Sequence, residues 1–346
     1  MKAEKRDRKA NKLKMKAGKV PESVLKRSII KQIKTRRPEI LMGAAVGEDC
    51  AVVELAADEV YVMSTDPITG TSHELGSLAV HVTANDIASS GAEVIGVMLS
   101  VLLPEGTEEE DLKTIMKQVE ETCHELNIQT IGGHTEITRV VNQPVLTVTG
   151  VGKVKKDSLV TTGGARPGDD VVVTKWIGLE GTSIIAREKE ALLRERFSPA
   201  FVNKAADMIK YLSVVPEAAV AVKHGVTAMH DVTEGGIFGA LWEVAQASGV
   251  GLEIDLMSIP VMQETIEICE VFGLSPYQLI SSGSMLITTQ GGHDLVRELK
   301  AAGIHAAVIG KVTGGNDRIL LNKDEKRYLE PPASDELYKI YEARSE

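Results

Sequence analysis

AVHVTANDIASSGAEV, Ala79–Val94, sets an amide and a carboxylate, Asn85 and Asp86, inside a run of small and apolar residues. Leu78, Val82 and Ile87 recur at helical spacing, so the run reads as a helix over Glu74–Ser90 with those three facing a core. Asn85 and Asp86 then lie on the side of a cleft. Ala79, Ala84, Ala88, Ser89, Ser90 and Gly91 keep the helix slim, so another backbone or a ligand can come close to it. A buried amide costs free energy unless it finds partners. A strand over Val94–Leu103, closed by Pro104, follows at once, which makes the chain a mixture of helices and strands.

The same alternation extends in both directions. Val24–Ile33 has helical spacing, and strands are expected over Ala51–Leu55 and in EVYVMST, which ends at Asp66. Thr107–Asn127 is an amphipathic helix with Leu112, Ile115, Met116, Val119, Cys123 and Leu126 on one stripe. Its acidic first turns, Glu108–Asp111, suit the helix dipole. Ile128–Ile131 and Val145–Val154 read as strands. TTGGARPGDDVV, dense in Gly and Pro, reads as a domain junction. Beyond it, VVVTKWIG is a strand entering a glycine turn, and helices and strands alternate to a strand over Ala306–Val312. SDELYKIYEARSE is an amphipathic helix expected to pack on the outside of the second domain.

The chain has 346 residues, enough for two domains. Aromatic residues are 3%, so the core has to be built from aliphatic side chains. A net charge of −10 argues against a nucleic-acid or anionic-membrane surface, though not against Mg2+-carried nucleotides. No apolar stretch reaches the roughly 20 residues of a membrane span. Cys50, Cys123 and Cys269 are far apart, without zinc spacing or a disulfide framework, which fits a reducing, cytoplasmic home. The basic stretch MKAEKRDRKANKLKMKAGK lacks the apolar centre of a secretory signal and reads as a solvated tail.

Four carboxylates share one setting, a strand end followed by a small or glycine-rich turn: Asp49 in VGEDCAVV, Asp66 in VMSTDPITG, Asp86 in TANDIASSG and Asp231 in AMHDVTEGG. Several carboxylates brought together need a cation, and Mg2+ accepts hard oxygen ligands along with phosphates. Each one singly is equally at home as a turn or helix cap; as a set, with Asn85 and the glycines, they read as a site. IGGHTEIT, Ile131–Thr138, adds Gly132 and Gly133 as exposed backbone amides, and His134, Thr135 and Glu136 as ligand-bonding side chains. His134 and His230 read as packed or hydrogen-bonded side chains rather than metal ligands. The P-loop, the dinucleotide fingerprint, the nucleophile elbow and the kinase motifs are all missing from the sequence.

In their order along the chain, GEDCAVV, STDPITG, ANDIASSGA, IGGHTE, ARPGD and HDVTEGG resemble the superfamily of aminoimidazole ribonucleotide synthetase. That superfamily also holds selenophosphate synthetase, thiamine-monophosphate kinase and the hydrogenase maturation factor that dehydrates a carbamoylated cysteine. The resemblance runs from about Gly18 to Val312, and DVTEGGIFGALWEVAQASGVGLEI brings it to the maturation-factor branch. It implies a two-domain α+β or α/β fold whose N-terminal domain shares a β-barrel with its twin in a homodimer. A flexible tail over 1–20, an ATP-binding and dimerisation domain over 21–160, an α/β domain over 166–330 and a polar tail over 331–346 are expected.

The resemblance further implies ATP and Mg2+, with Asp49, Asp66, Asp86 and Asp231 as metal ligands. Asn85 would contact phosphate. Gly132, Gly133, Thr135 and Glu136 would border the nucleotide, Gly235 and Gly236 would admit a helix N-terminus to the phosphates, and Asp86 would be catalytic. Two departures from the branch stand out. The chain ends YEARSE without the carrier cysteine, its last cysteine being Cys269, and Ser282 stands where the branch's NEGK-like segment has its glutamate. The expected function is ATP-dependent phosphoryl transfer to, or activation of, a small-molecule acceptor. The alternative is a nucleotide-binding assembly or maturation protein that lacks the carrier cysteine and serves a protein partner. A catalytically silent dimer is the third reading.

Overall fold

The computed structural model describes residues 18–19, 22–44, 52–68, 74–331 and 334–341. Asp49, Cys50 and nearly all of the basic stretch lie outside them, as do residues 342–346. In chain order the first elements are β1 (Gly18–Lys19) and α1 (Glu22–Val24), the latter running into a π-helical turn over Leu25–Ile30. Then come β2 (Ile40–Met42), β3 (Val52–Val53), β4 (Glu59–Ile68), α2 (Leu75–Ala88), β5 (Glu93–Pro104), α3 (Glu109–Glu125), β6 (Gln129–Thr138) and β7 (Val145–Lys155). After these follow β8 (Asp170–Thr174), α4 (Leu179–Glu188), α5 (Glu190–Arg194), α6 (Pro199–Ala206), α7 (Val215–His224), β9 (Ala228–Val232) and α8 (Gly236–Ser248). The last are β10 (Gly251–Asp255), α9 (Gln263–Phe272), β11 (Ser284–Thr289), α10 (Gly292–Ala301), β12 (Ala306–Thr313), β13 (Arg318–Asn322) and β14 (Glu325–Tyr328), with a 3₁₀ turn over Glu336–Ile340.

Two sheets dominate. The first has five strands in the order β1-β6-β5-β7-β4, with β5 and β6 parallel and β1 antiparallel to β6. The second has seven in the order β14-β13-β10-β12-β8-β11-β9, antiparallel throughout except for β10 beside β13. Among the described residues the expected N-terminal β-barrel is not formed: β1 and β4 stand at the two ends of an open sheet order. Closure needs tilted strands that pair along their length, and β1, at two residues, offers almost nothing for the ten-residue β4 to pair with.

By the density of contacts the chain divides into one unit of residues 1–54, 65–80 and 95–150 and another of 55–64, 81–94 and 151–346. In the first, α3 buries the stripe read from sequence: Leu112, Ile115, Met116, Val119 and Cys123. Its start is fastened by a capping box between Glu108 and Asp111. The slim face of α2 meets α3 closely, and a Cβ on Gly76 would stand 2.4 Å from the Ile115 carbonyl oxygen. In the second unit, α8 packs Ile237, Ala240, Leu241 and Val244 against β8, β10 and β12. On the other face of that sheet, Ala218 and Ala221 of α7 and Leu295 and Leu299 of α10 cover Val172, Met285 and Ile287. Burying each of the Val, Leu, Ile and Met side chains among them stabilises the fold by about 1.5–3 kcal/mol before entropy is counted.

Candidate functional site

Asn85 has no solvent exposure. Its Nδ2 donates to the Leu212 carbonyl oxygen at 2.8 Å and its Oδ1 accepts from the Val214 amide at 2.8 Å. Both ends of the amide are thus engaged by the backbone between α6 and α7. Ser89, one turn on, has its Oγ 2.9 Å from the Asn85 carbonyl oxygen and 3.3 Å from Asp231 Oδ1. Asp231 is buried in β9. Asp86, turned about 100° from Asn85 by the helix, is partly exposed and accepts a hydrogen bond from the Ser64 hydroxyl of β4.

Lys175, at the end of β8, completes the grip on that backbone: its ammonium donates to the Ser213 carbonyl oxygen at 2.6 Å and pairs with Glu217 of α7. Lys175 takes a left-handed φ of +53°, uncommon for a side chain of its size. Burial pulls its pKa down and pushes that of Glu217 up, each opposed by the attraction of the other. His81, one turn before Asn85 on α2, is held at about 4 by burial and then by the Lys175 charge, so it is neutral at neutral pH. The sequence reading missed His81, Lys175 and Glu217. Helical spacing alone puts His81 on the Asn85 face, and that signal was available.

His230 is hydrogen-bonded within the protein, with Nε2 2.8 Å from Glu243 and Nδ1 3.4 Å from Thr162, as its sequence reading holds. Gly235 and Gly236 form the turn into α8, and the Gly235 amide donates to Asp335 Oδ2 at 2.7 Å. The chain's own carboxylate therefore caps that helix.

In the first unit, a cavity of ≈ 410 Å³ lies over β5 and β6. Its walls are Leu25, Ile29, Ile30 and Ile33 on one side and Met98, Gly132, Gly133, His134 and Thr135 on the other. IGGHTEIT is not a turn but part of β6. Gly133 sits in the ladder beside Leu99 with φ +145°, and a Cβ there would lie 2.1 Å from the Leu99 carbonyl oxygen. Glu136 lies three residues on, its Oε2 3.3 Å from His134 Nε2, with both side chains well exposed. The helical wall is pinned from outside. Glu109 accepts from Arg27 Nε at 2.6 Å and Ser28 Oγ at 2.7 Å, and Glu120 accepts from the Lys34 and Thr35 amides. Asp66 is a partly exposed residue within β4, which continues past it to Ile68.

The expected residues thus fall into sets. Asn85 and Asp231 are linked through Ser89 in the second unit, where Asp86, Gly235 and Gly236 also lie; Gly132, Gly133 and Thr135 border the cavity of the first. Among the described residues, no three His, Cys, Asp or Glu side chains converge as a metal site would require. Cys123 and Cys269 are buried thiols, each pushed up to about 12 chiefly by burial, and neither is a ready nucleophile. No helix among the described residues is long and apolar enough to cross a membrane.

Comparison with known proteins is consistent along the chain. The N-terminal domain model of AIR synthase related protein matches residues 47–154, and the C-terminal domain model matches residues 166–321. The carbamoyl dehydratase HypE of Cupriavidus necator is 30% identical over 278 residues, covering 74% of this chain and 76% of the relative. The fold matches that of the hydrogenase maturation protein HypE in complex with ATP, with a TM-score of 0.77 at 20% identity over 92% of this chain and 96% of that one. It also matches a chain of the HypE–HypF complex, with a TM-score of 0.68 at 21% identity over 79% and 90%. With both of its domain models matched in order, the chain belongs to the AIR synthase related family.

Proposed function

We propose that this chain is a nucleotide-binding protein of hydrogenase maturation, acting as HypE does in concert with a HypF-like partner. The observation that carries the reading is the 30% identity to a carbamoyl dehydratase HypE across three quarters of both chains. The fold of the ATP complex supports ATP as the ligand. The cavity in the first unit supports it independently: its apolar walls suit the faces of a purine, and Thr135 and the Gly132–Gly133 backbone supply polar edges. Bound ATP would supply a transferable phosphoryl group. The protein would hold the base between the Ile29–Ile30 wall and Met98, and keep water from it.

Mg2+ would come with the phosphates, which need only one or two carboxylates from the protein. Asp49, Asp66, Asp86 and Asp231 are the candidates from which those carboxylates would be drawn, and Asp86 is the proposed proton acceptor. Asn85 would act by positioning, since both ends of its amide are held by backbone. In this reading residues 21–160 bind nucleotide, residues 166–330 form the second domain, and the working form is a homodimer.

ATP titration by calorimetry with and without Mg2+, followed by assay of ADP and phosphate, tests the proposal. Mg2+-dependent binding with slow hydrolysis, faster when the HypF-like partner is added, is expected. No heat at millimolar nucleotide would overturn it.

A further inference from the structure

Glu180 opens α4 with only 5% of the residue exposed. Ser282 donates to its carboxylate from both hydroxyl and backbone amide, while Oε2 meets no hydrogen-bond partner among the described residues. Among the described residues, the charges that act on it are two more carboxylates, Glu234 on the turn into α8 and Asp335 on segment 334–341. Of the other elements packed on α4, which include α5 and the turn over Asp207–Tyr211, α9 meets it through Thr182 and Thr265 and α6 through Ser183 and the Ala206 carbonyl oxygen.

Segment 334–341 is held by opposing forces. Asp335 accepts from the amides of Gly235 at 2.7 Å and Leu337 at 2.8 Å. Leu337 is buried with Ile184, Ile185, Ile268 and Leu279, and the Ser275 amide donates to Glu336 at 3.0 Å. Against these stands the mutual repulsion of Asp335, Glu180 and Glu234, carboxylates borne by three separate elements. Glu180 and Asp335 are buried while Glu234 is exposed, and a buried pair of like charges is tolerated only if one member keeps its proton.

We propose that segment 334–341 is a proton-dependent strap, docked while Glu180 holds its proton and loosened when Glu180 ionises against Asp335 and Glu234. Release would expose the Gly235 amide at the head of α8. The device is independent of whether the chain binds a nucleotide.

The sign follows from linkage. Burial first, then the facing acids, push Glu180 from 4.5 up to about 7 in the docked state, with Ser282 opposing. The released carboxyl returns to its ordinary range, so the docked state keeps a proton that the released state gives up. Docking is at full strength below pH 4.5, weakens as pH rises from there to about 7, and is level above.

Hydrogen exchange of the full chain, expressed as protection factors that divide out the intrinsic rate, tests this. Between about pH 5 and about pH 7.5 the protection of 334–341 should fall by up to about 60-fold, while β11 amides stay unchanged. Glu180→Gln should abolish the slope and keep the strap protected throughout. Leu337→Ala, which weakens the anchor and leaves the acids alone, should lower protection at every pH and retain the slope. A flat wild-type profile overturns the strap, as does a slope that survives Glu180→Gln. Should Glu180→Gln fail to fold, Leu337→Ala decides: a flat profile, or loss of protection only together with β11, overturns it.

Discussion

Asn85 shows how a single side chain answers the question its sequence poses. Its place among Ala, Val and Ser announces a need for partners, but nothing near it in the sequence names Leu212 and Val214. Replacing it by Ala strands a buried carbonyl and a buried amide, and should cost about 2–4 kcal/mol, read as a lower denaturant midpoint. Asp86 is the opposite case. Asp86→Asn can still accept from Ser64, so melting should be unchanged while Mg2+-dependent ATP turnover is lost; full activity in that variant would refute its proposed role. Lys175→Met should cost about 3–5 kcal/mol by leaving Glu217 buried without its cation, measured by the same denaturant midpoint. Lys175 was illegible because its importance lies in a partner 42 residues away, whereas His81 could have been found by stepping back one turn from Asn85.

Among the elements, α3 was read almost to its ends because its apolar stripe repeats at the helical period and its first turn is acidic. β6 was cut short at Ile131, since two consecutive glycines carry turn chemistry in isolation and strand chemistry only when a parallel neighbour claims them. Gly133→Ala should therefore cost about 3 kcal/mol or more, from a strained φ together with a collision with Leu99, and hydrogen exchange should show β5 and β6 opening first. The β13–β14 hairpin was missed because its turn uses Lys323 at φ +54° where a glycine or asparagine would have signalled it. At the wall of the cavity, the Arg27 guanidinium, then Ser28 and Lys113, hold Glu109 down at about 2 against the effect of its burial. A depressed carboxylate stabilises above its ordinary range, so this pinning is complete above pH 4.5 and is lost as pH falls toward about 2. Melting curves of Glu109→Gln and of the parent should differ near neutrality and converge at the acid end.

For the molecule as a whole, the order of motifs was sufficient to give the family, while the expected barrel failed because closure depends on strand lengths and edges that no motif encodes. A ligand that binds only the folded chain stabilises it by about 2.7 kcal/mol at a hundred times its Kd, so Mg2+-ATP should raise the melting temperature in proportion to the logarithm of its concentration, and an unchanged melt would count against nucleotide binding. The clasp on Asn85 also sets a timetable. A ribosome delivers α2 long before Leu212 and Val214, which lie 127 and 129 residues further on. At about 5–20 residues per second, the nascent helix waits on the order of ten seconds with its amide unanswered. During vectorial synthesis, then, any stall ahead of residue 214 leaves a half-made chain in which α2 can already meet α3 but its Asn85 amide has no backbone to close upon.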